Sequence, residues 1–571
     1  MPRRILYTFS FALIAVAMGV QAAAPQQAEA ASKPGHAAIA SAHKLATEAG
    51  FEALAQGGNA FDAAVAVAAA LSVVEPQSSG IGGGGMFLLH VAGDGKADSI
   101  KDVFVDARET SPAAVDAKDY LAANGDLDKD HSLNGPLSAA IPGEPAGLVW
   151  LAEHYGKLPL AKSMAPAIRI ARAGFAVDKR FVDEVRYRKP IFERYAASKS
   201  LFLVNGEVPQ AGWVFKNPDI AKILELIAAK GNEGFYRGEF AARLVDDVKK
   251  NGGRWSLADL ADYKVKEREP ISFKYRDWQI VTAPPPSSGG IAIEEMLNIL
   301  SGYDLAKLDR VHRTHLIVEA MRRAYRDRAQ YLGDPDFVKM PLDELSSPMY
   351  AAGLRSTIHP EKATPSDLLP PYMTPPQGPH TTHFSIIDKD GNRVSATQTV
   401  NFVFGSGMVV PGTGFLLNDE MDDFALVAGK PNVYGVVGTD ANAPAAGRRP
   451  LSSMSPSFVV GADRIGVIGT PGGSRIITMV LEGILAFIDG EQPEKFVGNP
   501  RYHHQYLPDV ISAEKNAFSA DEVKALEAMG HKVSESERTW GFMNAVSWDR
   551  ATNKLHAGTD PRQTSGGAVV K

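Results

Sequence analysis

The 571-residue chain contains no cysteine. That excludes a disulfide framework and a lipid-attachment thiol. Basic residues are not in surplus either: 60 Lys and Arg stand against 66 Asp and Glu, a formal charge of −6. A chain with this balance has no electrostatic reason to bind nucleic acid or an anionic membrane, so small or neutral partners are expected. Internal repeats are absent. Apolar runs of membrane length are absent too, and the longest candidate is confined to the N-terminus. There, Arg3 and Arg4 precede "ILYTFSFALIAVAMGV" and then "QAAAP", the three-part pattern of a signal peptide with cleavage after Ala22 or Ala24. The apolar stretch, about 16 residues, is short for a membrane span. Residues 1–24 are therefore read as a leader, and the mature protein as periplasmic or secreted, without a membrane anchor.

Several familiar motifs fail on inspection. Gly80, Gly82 and Gly85 in "GIGGGGMFLLHV" satisfy G-x-G-x-x-G, but the order is helix, glycines, strand. A dinucleotide site needs the reverse order, because the pyrophosphate sits on a helix N-terminus. No Lys-Ser/Thr follows to make a phosphate loop. Asp126, Asp128 and Asp130 have calcium-loop spacing, yet His131 and Leu137 replace the required Gly and Glu. The pairs His503-His504 and His380/His383 lack a third ligand at metal spacing. Neither a metal nor an organic cofactor is expected.

What is present reads as a layered α/β protein with a large core. "GGNAFDAAVAVAAALSVVEP" predicts a buried helix, N-capped by Asn59 and ending before Glu75-Pro76. "NPDIAKILELIAAKG" predicts another, with Asn217 as cap, Pro218 in the first turn and Gly231 as stop. "VHRTHLIVEAMRRAYRDRAQYLGDP" gives a third. Beyond Pro379 the chain turns to β-rich stretches separated by turns.

One hairpin can be read in register. A proline-rich segment with Pro360, Pro365, Pro370, Pro371, Pro375, Pro376 and Pro379 reads as an exposed linker. "THFSIIDKDGNRVSATQTV" follows it. Lys389 and Asp390 suit a type I turn, with Gly391 in the left-handed position of a bulge. That loop pairs Ser385 with Ser395 and sets Thr399 opposite Thr381, with Thr381, His383, Ser385, Thr397, Thr399 and Asn401 along one face. A threonine hydroxyl needs a base to act as a nucleophile, and no G-x-S-x-G elbow or Ser-His-Asp set can be assigned. If the chain is cut before Thr381, the new α-amine has an ordinary pKa near 7.7–8.0 and can be that base.

From about residue 35 to the C-terminus the chain resembles the bacterial γ-glutamyltranspeptidases of the N-terminal-nucleophile hydrolase superfamily. The motifs that carry the likeness, in order, are "ATEAG", "GGNAFDAAVA", "VEPQSSGIGGGG", "AIPGEPAGL", "PPPSSGG", "TTHFSIID", "MDDF", "PNVYGVVGTDANA", "RRPLSSMSP", "TPGGSRI" and "HHQYLPD". The resemblance implies a four-layer αββα sandwich. It implies self-cleavage between His380 and Thr381, giving a large subunit, 25–380, and a small one, 381–571, intertwined in one fold. Thr381 would be the nucleophile and Thr399 its hydrogen-bonding partner. Gly472 and Gly473 would stabilise the oxyanion, and Arg108, Ser452 and Ser453 would bind the substrate α-carboxylate. Asp423, Asn401 and Glu420 would hold the α-ammonium, with Tyr434 on a lid. The implied activity moves a γ-glutamyl group from glutathione or a related compound to water, an amino acid or a peptide. The competing readings are a cephalosporin or glutaryl acylase of the same superfamily and an exported solute-binding protein.

Overall fold

The computed structural model describes residues 33–93, 100–369, 381–427, 429–436 and 438–571. The leader, 1–24, and His380 lie outside the described residues.

Two antiparallel sheets form the centre. The first has seven strands in the spatial order Gly567–Val570, Ala38–Ser41, Thr382–Ile387, Arg393–Thr399, Gly84–Val91, Lys101–Ala107 and Lys266–Arg268. The second has six: Lys554–Thr559, Asn544–Asp549, Arg464–Gly469, Ser457–Val460, Trp278–Thr282 and Ile271–Tyr275. The period of two along the strands divides the core. In Gly84–Val91, Phe87 and Leu89 join the helices Ala60–Val74, Glu144–His154 and Pro218–Lys230 on one side. Met86 and Leu88 point the other way, into a cluster with Phe458 and Val467 of the second sheet. Helices Gly289–Leu300, Arg310–Tyr331 and Ile476–Ile488 cover that second sheet. The order helix, sheet, sheet, helix is the expected αββα sandwich. Both sheets combine strands from before residue 370 with strands from after residue 380, so neither part encloses a core alone.

The helix signals act as their chemistry dictates. Asn59 accepts hydrogen bonds from the N–H groups of Phe61 (3.0 Å) and Asp62 (3.1 Å), and the Asp62 carboxylate accepts from Asn59 N–H at 2.9 Å. Asp62 also accepts from Lys157 and Leu158 N–H, which satisfies a carboxylate in a helix buried along its whole length. The Asn217 side chain caps Pro218–Lys230 by accepting from Ile220 N–H at 3.2 Å, and Gly231 ends it at φ 55°. Among the described residues no helix is long and apolar enough to cross a membrane.

The hairpin has the register read from its turn. Ser385 pairs with Ser395, Asp388 N–H donates to Asn392 C=O at 3.0 Å, and Gly391 has φ 94°. The linker differs from expectation over its described part. Residues up to 369 are tied to the body by Ala363 N–H to Met529 C=O (2.7 Å) and Ser366 N–H to the Asp509 carboxylate (2.9 Å). Ser366 and Ala363 are buried. Prolines remove regular structure, but hydrogen bonds to a neighbouring loop can still pin the chain. The acidic loop at 126–130 is spent on protein contacts. Asp128 caps a short helix, Asp126 pairs with Lys430 at 2.9 Å and Asp130 with Arg194 at 2.8 Å.

Candidate active site

Thr381 opens the strand Thr382–Ile387, and its hydroxyl lies 3.3 Å from that of Thr399, the last residue of the partner strand. The Thr399 oxygen accepts from Asn401 N–H at 2.8 Å. That bond occupies a lone pair and leaves the Thr399 proton available to Thr381. Glycines let the neighbouring backbone come this close. A Cβ on Gly83 would collide with the Thr399 carbonyl, and one on Gly82 with the carbonyl of Leu416. The glycine cluster that failed as a nucleotide motif is a close-packing element beside the hairpin that carries Thr381 and Thr399.

His383, two residues along, faces the second sheet and is fully buried. Its ring nitrogens meet the hydroxyls of Thr397 (2.9 Å) and Ser385 (3.1 Å). Burial drives its pKa down to about 3, so it is neutral. Thr382 points to the opposite face and donates to Glu75, the residue that ends helix Ala60–Val74, at 2.6 Å. Glu75 also accepts from Arg180 (3.0 Å) and Gln563 (2.8 Å), which locks the strand start to the helical layer.

A cavity opens beside Thr381, with ≈ 600 Å³ of open space including solvent. Its walls include Thr399, Asn401, Arg108, Asp423, Tyr434, Ser452, Ser453 and Gly473. Two of the sequence-derived residues stand outside that wall. Glu420 is wholly buried behind it and pairs with Arg108 at 2.7 Å, and Gly472 precedes Gly473 without lining the space. Gly472 and Gly473 have φ 149° and 58° and begin the turn that leads into helix Ile476–Ile488. Backbone N–H groups at such a helix start favour negative charge.

Arg108 is gripped by acids. It donates to Asp423 at 2.5 Å and lies 3.4 Å from Glu109, besides its pair with Glu420. Burial works against its charge, and the fields of Glu420, Glu109 and Asp423 more than offset it, so its pKa is held above the usual value. Burial in turn pushes Glu109 up to about 7 against the pull of Arg108. Asp423 also accepts from the Asn432 amide at 3.1 Å. Asn432 in turn accepts from Tyr434 N–H (3.0 Å) and Val436 N–H (3.1 Å), shaping the loop that carries Tyr434. Tyr434 is buried; its hydroxyl donates to Asn401 C=O at 2.6 Å, and its ring lies where a Gly473 Cβ would go. Asn401 itself is held at φ 71°, an uncommon conformation stabilised by the hydrogen bond that its side-chain Nδ2 donates to Asp419 C=O at 2.9 Å.

Together these residues form a small polar chamber with the paired threonine hydroxyls at one side and both charge signs opposite. The sequence of the whole chain agrees with this geometry. The γ-glutamyltranspeptidase family model matches residues 46–570. The chain belongs to that family. A glutathione hydrolase proenzyme of Pseudomonas sp. (strain A14) is 41% identical, over 98% of this chain and 99% of its own. Cephalosporin acylase from Bacillus halodurans superposes with a TM-score of 0.80 at 29% identity, covering 94% and 96% of the two chains. The γ-glutamyltranspeptidase of Helicobacter pylori matches with a TM-score of 0.55 at 38% identity, over 58% of this chain and 93% of that one. The fold is that of the N-terminal-nucleophile hydrolases, and family membership places the chain among enzymes of the hydrolase and transferase kind.

Sequence reading missed four polar cavity residues: Arg328, Asn432, Asn442 and Ser474. Asn432 and Asn442 sit inside "PNVYGVVGTDANA" and had a motif to point at them. Arg328 had none, being one of several arginines on a long helix. A group of metal-ligating type, His315, Glu319 and His531, also comes together. Its members are already bonded: His315 to His531 at 2.8 Å, and Glu319 to Arg323 at 2.7 Å and Arg322 at 3.2 Å. Two guanidinium groups on the one carboxylate oppose a cation there.

Proposed function

We propose that this protein is a self-processing, exported γ-glutamyltransferase acting on glutathione and related γ-glutamyl compounds. The observation that carries the reading is the chamber itself, with a threonine hydroxyl paired at 3.3 Å to a second threonine and a cavity holding Arg108, Asp423 and two serines. A γ-glutamyl substrate ends in a free amino-acid head, which needs donors for its carboxylate and an acid for its ammonium. Cleavage before Thr381 would leave 381–571 as a small subunit and 25–380 as a large one. In the uncut chain the Thr381 nitrogen is an amide and cannot be a base; after the cut it is an amine with an ordinary pKa near neutrality. That amine takes the hydroxyl proton as Oγ1 attacks the γ-carbonyl carbon. The oxyanion forms near Gly472 and Gly473 and collapses to an ester, expelling the leaving amine with the proton. Water or an acceptor amine then attacks the ester, is deprotonated by the same group, and releases the Thr381 hydroxyl. Tyr434 closes the chamber over this intermediate.

A glutaryl acylase is the second reading, favoured by the TM-score of 0.80 to the cephalosporin acylase. A glutaryl group has no ammonium, and the buried acids around Asp423 speak for the γ-glutamyl head instead. Mass spectrometry of the purified protein, with and without a γ-glutamyl anilide, tests the proposal. It should show two fragments divided before Thr381, and the small one should gain the γ-glutamyl mass on that residue. A single uncut chain that hydrolyses nothing would overturn it.

A further inference from the structure

The two cations of the chamber stand in different company. Arg108 is surrounded by Glu109, Glu420 and Asp423. Arg328, from helix Arg310–Tyr331, also lines the cavity and is buried, and among the described residues no carboxylate lies within ion-pair distance of it. Burial works against its charge, and Tyr325 and then Asp423, itself bonded to Arg108, act weakly the other way. The hydrogen-bond partners of Arg328 are hydroxyls. Its Nε donates to Ser288 Oγ at 2.9 Å and its Nη2 to Ser453 Oγ at 3.1 Å. Ser288, in the "PPPSSGG" segment, passes its own proton to Ser452 C=O at 2.7 Å. The segment thereby fixes the Ser452–Ser453 loop from beneath.

A guanidinium can only donate, so Ser453 Oγ must accept from it, and the Ser453 proton is left for another acceptor. Ser452 Oγ is placed alike, accepting from Met454 N–H at 3.1 Å. Both serines line the cavity. Their protons and the positive charge behind them, which has no carboxylate at ion-pair distance, make an anion site, whereas three acidic side chains already crowd Arg108.

We propose that Arg328 is a second substrate-recognition cation, which selects γ-substituted donors carrying a free α-carboxylate by charging the Ser452–Ser453 pair. The inference rests on the γ-glutamyl reading above and adds to it a residue and a specificity. It also gives the "PPPSSGG" segment a role, that of holding the two hydroxyl donors at the correct separation.

The test compares two anilides on the processed enzyme: γ-glutamyl-p-nitroanilide and the same compound with its α-carboxylate converted to a carboxamide. Arg328→Gln should lower kcat/KM for the carboxylate substrate about 10–100-fold, the usual worth of a charge-assisted hydrogen bond, mainly through KM. For the carboxamide it should change less than about threefold, since a neutral head gains little from the charge. Arg328→Lys keeps the charge and disturbs packing least, and should recover part of the preference. Equal losses on both substrates in both variants would show a purely structural role and overturn the proposal, as would no loss in either. A wild-type enzyme that turns over no γ-glutamyl anilide would remove the underlying reading. An active wild type with an unchanged Arg328→Gln removes this inference alone.

Discussion

At the scale of single residues, the chamber is decided by which partner each polar atom already has. Thr399 accepts from Asn401 N–H with one lone pair and keeps its proton for Thr381. Thr399→Val should slow acylation about 10–100-fold, read by single-turnover kinetics, with the substrate affinity little changed. Asp423 spends one oxygen on Arg108 and the other on Asn432, yet keeps 15% of its side chain exposed to the cavity. Asp423→Asn should cost about 100-fold or more in kcat/KM for a γ-glutamyl anilide while a glutaryl anilide is spared, because only the former needs a counter-charge for its ammonium. Retention of γ-glutamyl activity and affinity in that variant would sink the assignment. His383, two residues beyond Thr381, is a neutral spacer between the sheets and should leave no inflection in the pH profile of acylation.

At the scale of elements, glycines decide how near two strands or loops approach. Gly469, on the strand Arg464–Gly469, lies against the His383 ring, and a Cβ there would collide with three of its atoms. The ring is buried and hydrogen-bonded at both nitrogens, so it cannot swing aside. Gly469→Ala should lower the thermal midpoint by several degrees or abolish soluble protein, measured by calorimetry. These elements also show where sequence reasoning reached. The hairpin register followed from turn chemistry, since "DKDGN" takes a left-handed residue most readily at Gly391. The helices at 60–74 and 218–230 followed from their caps. Arg328 did not follow, because nothing in an arginine-rich helix tells which arginine another layer will cover.

At the scale of the whole molecule, burial of acids sets the pH response. Glu144 is wholly buried, accepts from Gln398, and is pushed by burial up to about 8. Its unfolded-state pKa is near 4.3. The folded protein therefore holds a proton that the unfolded chain has lost between those two values. Stability from this group is complete below about pH 4 and falls as pH rises toward 8. Glu144→Gln removes that dependence: the variant should gain on the wild type steadily from pH 5 to pH 8 in thermal midpoint, and a constant difference would refute the account. Glu109 and Asp422, each raised to about 7 chiefly by burial, act in the same direction.

The sequence by itself determined the local structure and part of the cast of the chamber, Arg328 not included. Caps, turn residues and a period of two act over a few positions, and the ordered motifs name the family. Tertiary structure alone decided the pairings. It placed strands from both sides of residues 370–380 in each sheet, buried Glu420 behind Arg108, and brought Arg328 beneath Ser453. Those contacts join residues far apart in the chain, and their strength depends on burial and on competing partners, which no local pattern encodes.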